Sequence, residues 1–256
     1  MCLIALAWKT HPDYPLVLAA NRDEFFTRPA APLQEWPEHP GLYAGRDLQA
    51  GGTWLGVHQP SGRFAALTNV RRLPAPEKNG PSRGRLVLEV LLQDAPLEEI
   101  LQKLQAEKHL YQGFNLLAGD SHGLFCLSSH TEGVEPLEAG VHALSNATLN
   151  EPWPKVVQAR DDVRHWIRSP GAVSDLALLL HDRTPAPPSA LPATGLSPEW
   201  EEALSAQFIH LPDYGTRACT GLMISARGEL ALHEQTFDAH GQAGAASTVR
   251  FSAPGW

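Results

Sequence analysis

The sequence predicts an α+β fold in which helices lie outside packed antiparallel sheets. Three observations lead there. Short apolar, β-competent runs recur in pairs across turn residues, which is the signature of hairpins. Helical periodicity falls in two groups, roughly residues 84–108 and 152–206. The chain has 256 residues of which 43% are apolar, enough to bury one substantial core, and it is read as a single domain over 1–256.

The first hairpin organises the rest. Residues 2–8 and 15–20 are apolar runs flanking Lys9-Thr10-His11-Pro12-Asp13-Tyr14, and the second run leads into Asn21-Arg22-Asp23-Glu24. A turn centred near Pro12 places Cys2 opposite Arg22, because opposed residues of an antiparallel pair keep a constant index sum. A thiol then sits near an arginine and two carboxylates. Cysteine is small, so removal of the initiator Met1 is expected, leaving a free α-amine on Cys2 itself. Such an amine has an ordinary pKa of about 7.7–8.0 and can take the thiol proton. The charge of Arg22 favours the thiolate, and Asp23 or Glu24 can hold the amine and the guanidinium. The plain alternative is a small apolar residue at a strand start. Adjacent strand residues face opposite sides, so without a bulge only one of Arg22 and Asp23 shares the Cys2 face.

Residues 25–40 are Pro-rich without period and read as a long loop pinned by Trp36 and Tyr43, either a pocket rim or a surface cover. Residues 53–57 and 63–69 form the next hairpin, with an index sum near 121 that sets Asn69 opposite Gly52. Gly51 and Gly52 there admit another backbone or a ligand. The Asn69 amide can donate to a developing oxyanion, or simply cap the loop. Arg71 and Arg72 enter a Pro/Gly-rich loop to residue 84, either meeting an acidic ligand or solvated. Residues 85–92 read as a helix, and Asp94 as the N-cap of a second reaching about 108, with Pro96, Glu98 and Glu99 in its first turn.

Residues 113–119 and 124–127 form a further hairpin that buries Cys126. A strand over 140–145 ends at Asn146, either a second oxyanion donor or a turn residue. Pro152-Trp153-Pro154 opens a helix to about 168, and 173–181 is helical. Residues 183–195 carry four prolines and read as a surface excursion. Ser197-Pro198 starts a short helix. Residues 217–224 and 229–237 form the last clear hairpin. The tail from 238 to 246 reads as flexible, and 248–252 as an added edge strand.

Several function classes lose ground. The formal charge is -8, a poor match to nucleic acid or anionic membranes. The three cysteines do not suggest a disulfide framework, which fits a reducing, cytoplasmic setting. The His residues are scattered without metal-ligand spacing, so no metal is expected. There is no Rossmann glycine pattern after a strand, no P-loop and no G-x-S-x-G. The start lacks the charged n-region of a signal peptide, and no apolar stretch approaches the ~20 residues that span a bilayer.

Met1-Cys2 at the start, Asn21-Arg22-Asp23-Glu24, Gly51-Gly52-Thr53-Trp54-Leu55-Gly56, Leu67-Thr68-Asn69, and Ser145-Asn146 followed by Pro152-Trp153-Pro154-Lys155 resemble the NRDE family, also called the transport and Golgi organisation 2 family. The family is itself compared to the N-terminal-nucleophile hydrolases, so the resemblance implies a four-layer αββα sandwich of antiparallel sheets. It implies catalytic duty for Cys2, Arg22, Asp23, Asn69 and Asn146, and substrate contacts from Asn21, Glu24 and Arg217. Arg217 enters because related hydrolases hold an arginine near the last inner strand facing the nucleophile; otherwise it is a strand-end residue paired with a carboxylate. In the bile-salt-hydrolase branch the aspartate stands three residues after the arginine, whereas here Asp23 follows Arg22 directly and position 25 is Phe.

Three readings follow. One is an amidohydrolase that attacks a non-peptide C–N bond of a small molecule through Cys2, with no catalytic cofactor. Another is a non-catalytic carrier of haem or a lipid, as animal members are linked to handling these. The last is a glutamine amidotransferase domain, which lacks an ammonia-receiving partner domain here. Oligomeric state is left open.

Overall fold

The protein is described by a computed structural model over residues 2–71, 80–253 and 255–256. Met1, Arg72, positions 73–79 and Pro254 lie outside the described residues, and with them most of the expected Pro/Gly-rich loop after Arg71. Strand β1 (Cys2–Trp8) pairs with β2 (Leu16–Phe25) in the expected register, Cys2 opposite Arg22 and Ile4 opposite Ala20. Both strands are apolar on both faces. Strands of this kind belong between two covering layers, because each exposed apolar face would go unburied.

Two large antiparallel sheets supply the layers. The remaining strands are β3 (Ala30–Trp36), β4 (His39–Asp47), β5 (Leu55–His58), β6 (Arg63–Asn69), β7 (Phe114–Gly119), β8 (Leu124–Ser128), β9 (Val134–Pro136), β10 (Gly140–Leu144), β11 (Tyr214–Ile224), β12 (Glu229–Phe237) and β13 (Ala243–Ser252). One sheet has the order β10-β1-β2-β11-β12-β13 and the other β3-β4-β5-β6-β7-β8-β9. Ile4, Leu6, Leu18, Leu222 and Leu232 of the first sheet pack against Leu55, Val57, Phe64 and Leu117 of the second. The helices are α1 (Gly84–Leu92), α2 (Leu97–Glu107), α3 (Pro154–Trp166), α4 (Val173–Ala177) and α5 (Pro198–Ala203). Leu86, Val90 and Leu101 of α1 and α2 cover Ala65 and Leu116 of the second sheet. Val156, Val163 and Leu176 of α3 and α4 cover Leu3, Ala5 and Val17 of the first. The result is α+β with two large sheets and few helices, an arrangement compatible with a sandwich. None of the helices among the described residues is long and apolar enough to cross a membrane.

Three expectations are corrected. The stretch 25–40 is not one long loop: from Ala30 it enters the β3–β4 hairpin at the edge of the second sheet. Its register slips between Ala31 and Gln34. Pro32 falls in that slip, where an edge strand tolerates a residue that cannot donate. Trp36 is indeed buried, and its Nε1 donates to the Ala44 carbonyl at 3.1 Å. Residues 243–246 of the tail expected to be flexible are strand, because β13 pairs along β12 from residue 243, while 238–242 turn between the two strands. Small residues on an exposed edge leave no hydrophobic alternation to read. The N-cap of α2 is Pro96, not Asp94; its extended ψ of 139° turns the chain into the helix.

Helix α4 lies very close to the first sheet at Gly221 of β11, where a Cβ would meet the Val173 carbonyl oxygen at 2.5 Å. Gly221→Ala is expected to destabilise the protein by about 1–3 kcal/mol, the usual cost of overpacking. Urea unfolding should show a lower midpoint at an unchanged slope. A variant as stable as the parent would mean that α4 does not pack as described.

Candidate active site

The polar run at the end of β2 is distributed by the two-residue period of the strand. Arg22 shares the inter-sheet side with Cys2, its register partner. Its guanidinium carbon lies 4.2 Å from the Trp54 ring centroid, and the residue is 6% exposed. Asn21 and Asp23 turn the other way. Asn21 Nδ2 donates to the carbonyls of Leu180 (2.7 Å) and Gln207 (2.9 Å), tying the outer layer to the sheet. Asp23 Oδ1 accepts from the Thr216 hydroxyl at 2.7 Å. At the strand end both sides reach one small cleft of about 90 Å³, lined by Cys2, Arg22, Asp23, Glu24, Asn69 and Arg83 together with Trp54 and Arg28.

Cys2, Arg22, Asp23, Glu24 and Asn69 are thus brought together, and three other expected residues are not. Asn21 uses both amide hydrogens on backbone carbonyls, so it holds the fold instead of reaching ligand. Asn146 is fully buried and its Nδ2 donates to the Asn69 carbonyl at 2.8 Å, while its own carbonyl accepts from the Arg71 amide. Next to it, the Ser145 hydroxyl lies 3.1 Å from the Cys2 carbonyl. Asn146 therefore braces β6 against the start of β1 and acts on the cleft through Asn69. Arg217 faces a neighbouring hollow of about 320 Å³ that also borders Arg22 and Glu234. Its Nη1 donates to the carbonyls of Phe25 (2.9 Å) and Arg28 (2.8 Å), and the shift of register between Thr216 and Ala218 turns it from Cys2. Arg71, read as either ligand-facing or solvated, is instead buried, 3.3 Å from Glu201 and stacked on Trp153.

The side-chain amide of Asn69, by contrast, makes no hydrogen bond among the described residues and lines the cleft, so it is open to a ligand. Glu24 accepts from the Phe25 amide at 2.9 Å and stands 3.8 Å from Arg28, which is itself paired with Asp47 at 2.7 Å.

Two residues that the sequence reading passed over belong to the site. Arg83 reaches the cleft because the start of α1 packs onto the Gly51-Gly52 turn. A Cβ on Gly52 would meet the Gly84 backbone at 2.7 Å. The two glycines therefore admit another stretch of backbone. Lys155 is the other: it is 2% exposed, and its Nζ has no hydrogen-bond partner among the described residues. The signal was present, since Lys155, Ala159 and Val163 share one buried stripe of α3. A lysine on such a stripe is a charge inside the protein.

Burial dominates the electrostatics. It pushes the Cys2 thiol up from its ordinary range, with Asp23 adding to the rise and Arg22 opposing it. Cys2 is therefore a neutral thiol near neutral pH and needs a base to react. Burial pushes the Asp23 carboxyl up too, against the opposing pull of the Lys155 charge. It pulls the Lys155 ammonium down to about 8, against the opposing pull of Asp23. No group of three or more His, Cys, Asp or Glu among the described residues could hold a metal.

Lys155 gives a pH signature. Its folded pKa of about 8 lies below the unfolded value near 10.5. Between the two the unfolded chain binds more protons, so stability rises with pH across that window, by up to about 3 kcal/mol. Relative to Lys155→Met, the parent's unfolding midpoint should climb from pH 8 to 10.5. Parallel profiles of the two proteins would show that Lys155 is not desolvated.

Residues 1–239 match the family described as Transport and Golgi organisation 2. The "Transport and Golgi organization protein 2 homolog" of Bos taurus is 34% identical over 260 residues, covering 92% of this chain and 93% of that protein. The Homo sapiens protein of the same description is 30% identical with the same coverage. The Drosophila melanogaster "Transport and Golgi organization protein 2" is 26% identical, covering 94% of this chain and 95% of its own. The chain belongs to the transport and Golgi organisation 2 family.

Proposed function

We propose that the protein is an amidohydrolase of the N-terminal-nucleophile type, a four-layer αββα sandwich that cleaves a non-peptide C–N bond of a small molecule through Cys2. The observation that supports it most is the Cys2–Arg22 register beside an Asn69 amide that makes no hydrogen bond among the described residues, on one cleft. After removal of Met1 the α-amine of Cys2 accepts the thiol proton, and Sγ attacks the amide carbon. The carbonyl electron pair moves onto oxygen, which the Asn69 amide receives. Collapse breaks the C–N bond, and the protonated α-amine returns its proton to the leaving nitrogen. Water then hydrolyses the thioester and regenerates the thiol. The chemistry needs a reduced thiol, consistent with a cytoplasmic setting.

A carrier reading draws on a different feature. An apolar hollow of about 300 Å³ is lined by Phe25, Trp200, Leu211, Pro212 and Tyr214, and Phe25 is 49% exposed. Its lining has no His, Cys or Met to ligate iron, and the Tyr214 hydroxyl donates to the Asp23 carbonyl. Within that reading an acyl chain fits the hollow better than haem.

Intact mass and alkylation separate the readings. The native chain should begin at Cys2. In Arg22→Met the midpoint of Cys2 alkylation against pH should move upward, because Arg22 lowers the thiol pKa. Cys126 and Cys219, both buried, should stay slow in both proteins. A retained Met1 or an unmoved midpoint would favour the carrier. Against a panel of N-acyl amides, Asn69→Ala should lower turnover by ~10²–10³ without loss of fold. Asn146→Ala should lower stability along with turnover, since it frees the Asn69 carbonyl. Full turnover in Asn69→Ala would remove the oxyanion assignment.

A further inference from the structure

Two of the three arginines that line the cleft beside Cys2 have no ion pair among the described residues. Of its three arginines, Arg28 is neutralised by Asp47 at 2.7 Å. Arg22 is more than nine-tenths buried, stacks on Trp54, and has neither a hydrogen bond nor an ion pair among the described residues. A buried charge left in this state is costly unless a ligand completes it. Arg83 donates a single hydrogen bond, from Nη1 to the Gly113 carbonyl at 3.0 Å, and likewise has no ion pair among the described residues. Burial lowers its pKa, with the charges of Cys2 and Glu24 opposing.

The backbone points the same way. Ser82, Arg83 and Gly84 line the cleft, and they are the start of α1, nine residues long. That helix has no side-chain cap and no acidic residue in its first turn. Its positive end is therefore open towards the same space as the two guanidinium groups. The close contact of Gly52 with Gly84 fixes it there.

We propose that Arg22, Arg83 and the start of α1 form an anion subsite next to Cys2, and that it takes the carboxylate of a carboxylate-bearing amide. The subsite deepens the amidohydrolase reading by naming its substrate class. Size and charge favour a single carboxylate over a phosphate dianion. The cleft holds only about 90 Å³, and Asp23 and Glu24 border it as well. Arg83 is the recognition residue, while Arg22 is shared between ligand and thiol.

Two alkylating agents of similar shape test this, iodoacetate and iodoacetamide, with labelling at Cys2 mapped by peptide mass. In both reactions Sγ displaces iodide and the thiol proton passes to solvent, so the ratio of the two rates cancels the thiolate fraction. On Cys2 the iodoacetate-to-iodoacetamide ratio should exceed that of free N-acetylcysteinamide by about tenfold or more, the scale of a charge-assisted hydrogen bond. Arg83→Met should return the ratio towards the free-thiol value, and Arg83→Lys should keep part of it. N-acetylglycine should protect Cys2 better than N-acetylglycinamide, a comparison that needs no variant and stands if Arg83→Met fails to fold. A ratio equal to the free thiol's, a ratio unchanged in Arg83→Met, or equal protection by the two amides would each overturn the subsite. Slow iodoacetamide labelling with a high ratio would support the subsite and remove the nucleophile; fast labelling with an ordinary ratio would do the reverse.

Discussion

The burial of Arg22 between the two sheets is the constraint on which the site depends. Desolvating a guanidinium is unfavourable unless something compensates it. Here the aromatic face of Trp54 does part of that, since a ring face attracts a cation. Trp54 reaches Arg22 because Gly45 leaves room for it: a Cβ there would meet the indole at 2.3 Å. Gly52, two residues before Trp54, admits the start of α1. One stretch, Gly51-Gly52-Thr53-Trp54, thus seats the arginine's platform and one wall of the cleft together. Replacing the arginine by an apolar residue would satisfy the core more simply, which is why its presence points to a ligand.

The run Asn21-Arg22-Asp23-Glu24 is intelligible once the strand period is applied. Its alternate members work on opposite sides of one sheet. Asn21 ties the outer layer to β2 through two backbone carbonyls, and Asp23 accepts from Thr216 near the charge of Lys155. Arg22 turns to the inter-sheet side with Cys2, and Glu24 reaches the cleft rim. The four polar residues therefore do four different tasks. The expected substrate contact from Asn21 left out its turn to the helix side, where both its amide hydrogens are used.

What could be read in the chain follows how local each interaction is. The hairpin registers, Cys2 with Arg22 and Leu55 with Ala66, came from index sums because short turns fix them. β3 and the first residues of β13, 243–246, were hidden, since these edge segments carry proline, glycine and alanine without alternation, whereas 248–252 read as an edge strand. Asn69 lines the cleft at the end of β6, but the part Asn146 plays depends on a bond across 77 positions to the Asn69 carbonyl. Arg83 enters the site only through the contact of Gly84 with Gly52, which no local pattern encodes. Lys155 was legible in principle, as a charge on the apolar stripe of α3.

The sheet separates two kinds of electrostatics by a single residue step. On the helix side, Asp23 and Lys155 are both desolvated, and each moves towards its neutral form despite attracting the other. On the inter-sheet side, the Arg22 guanidinium lies over the Trp54 ring. Cys2 stands at the strand start, where both sides meet. Burial and the Asp23 charge push its thiol up, and the Arg22 charge opposes that rise. The two-residue period of β2 thus sets a guanidinium on one face of the sheet and the Asp23–Lys155 pair on the other, one residue apart.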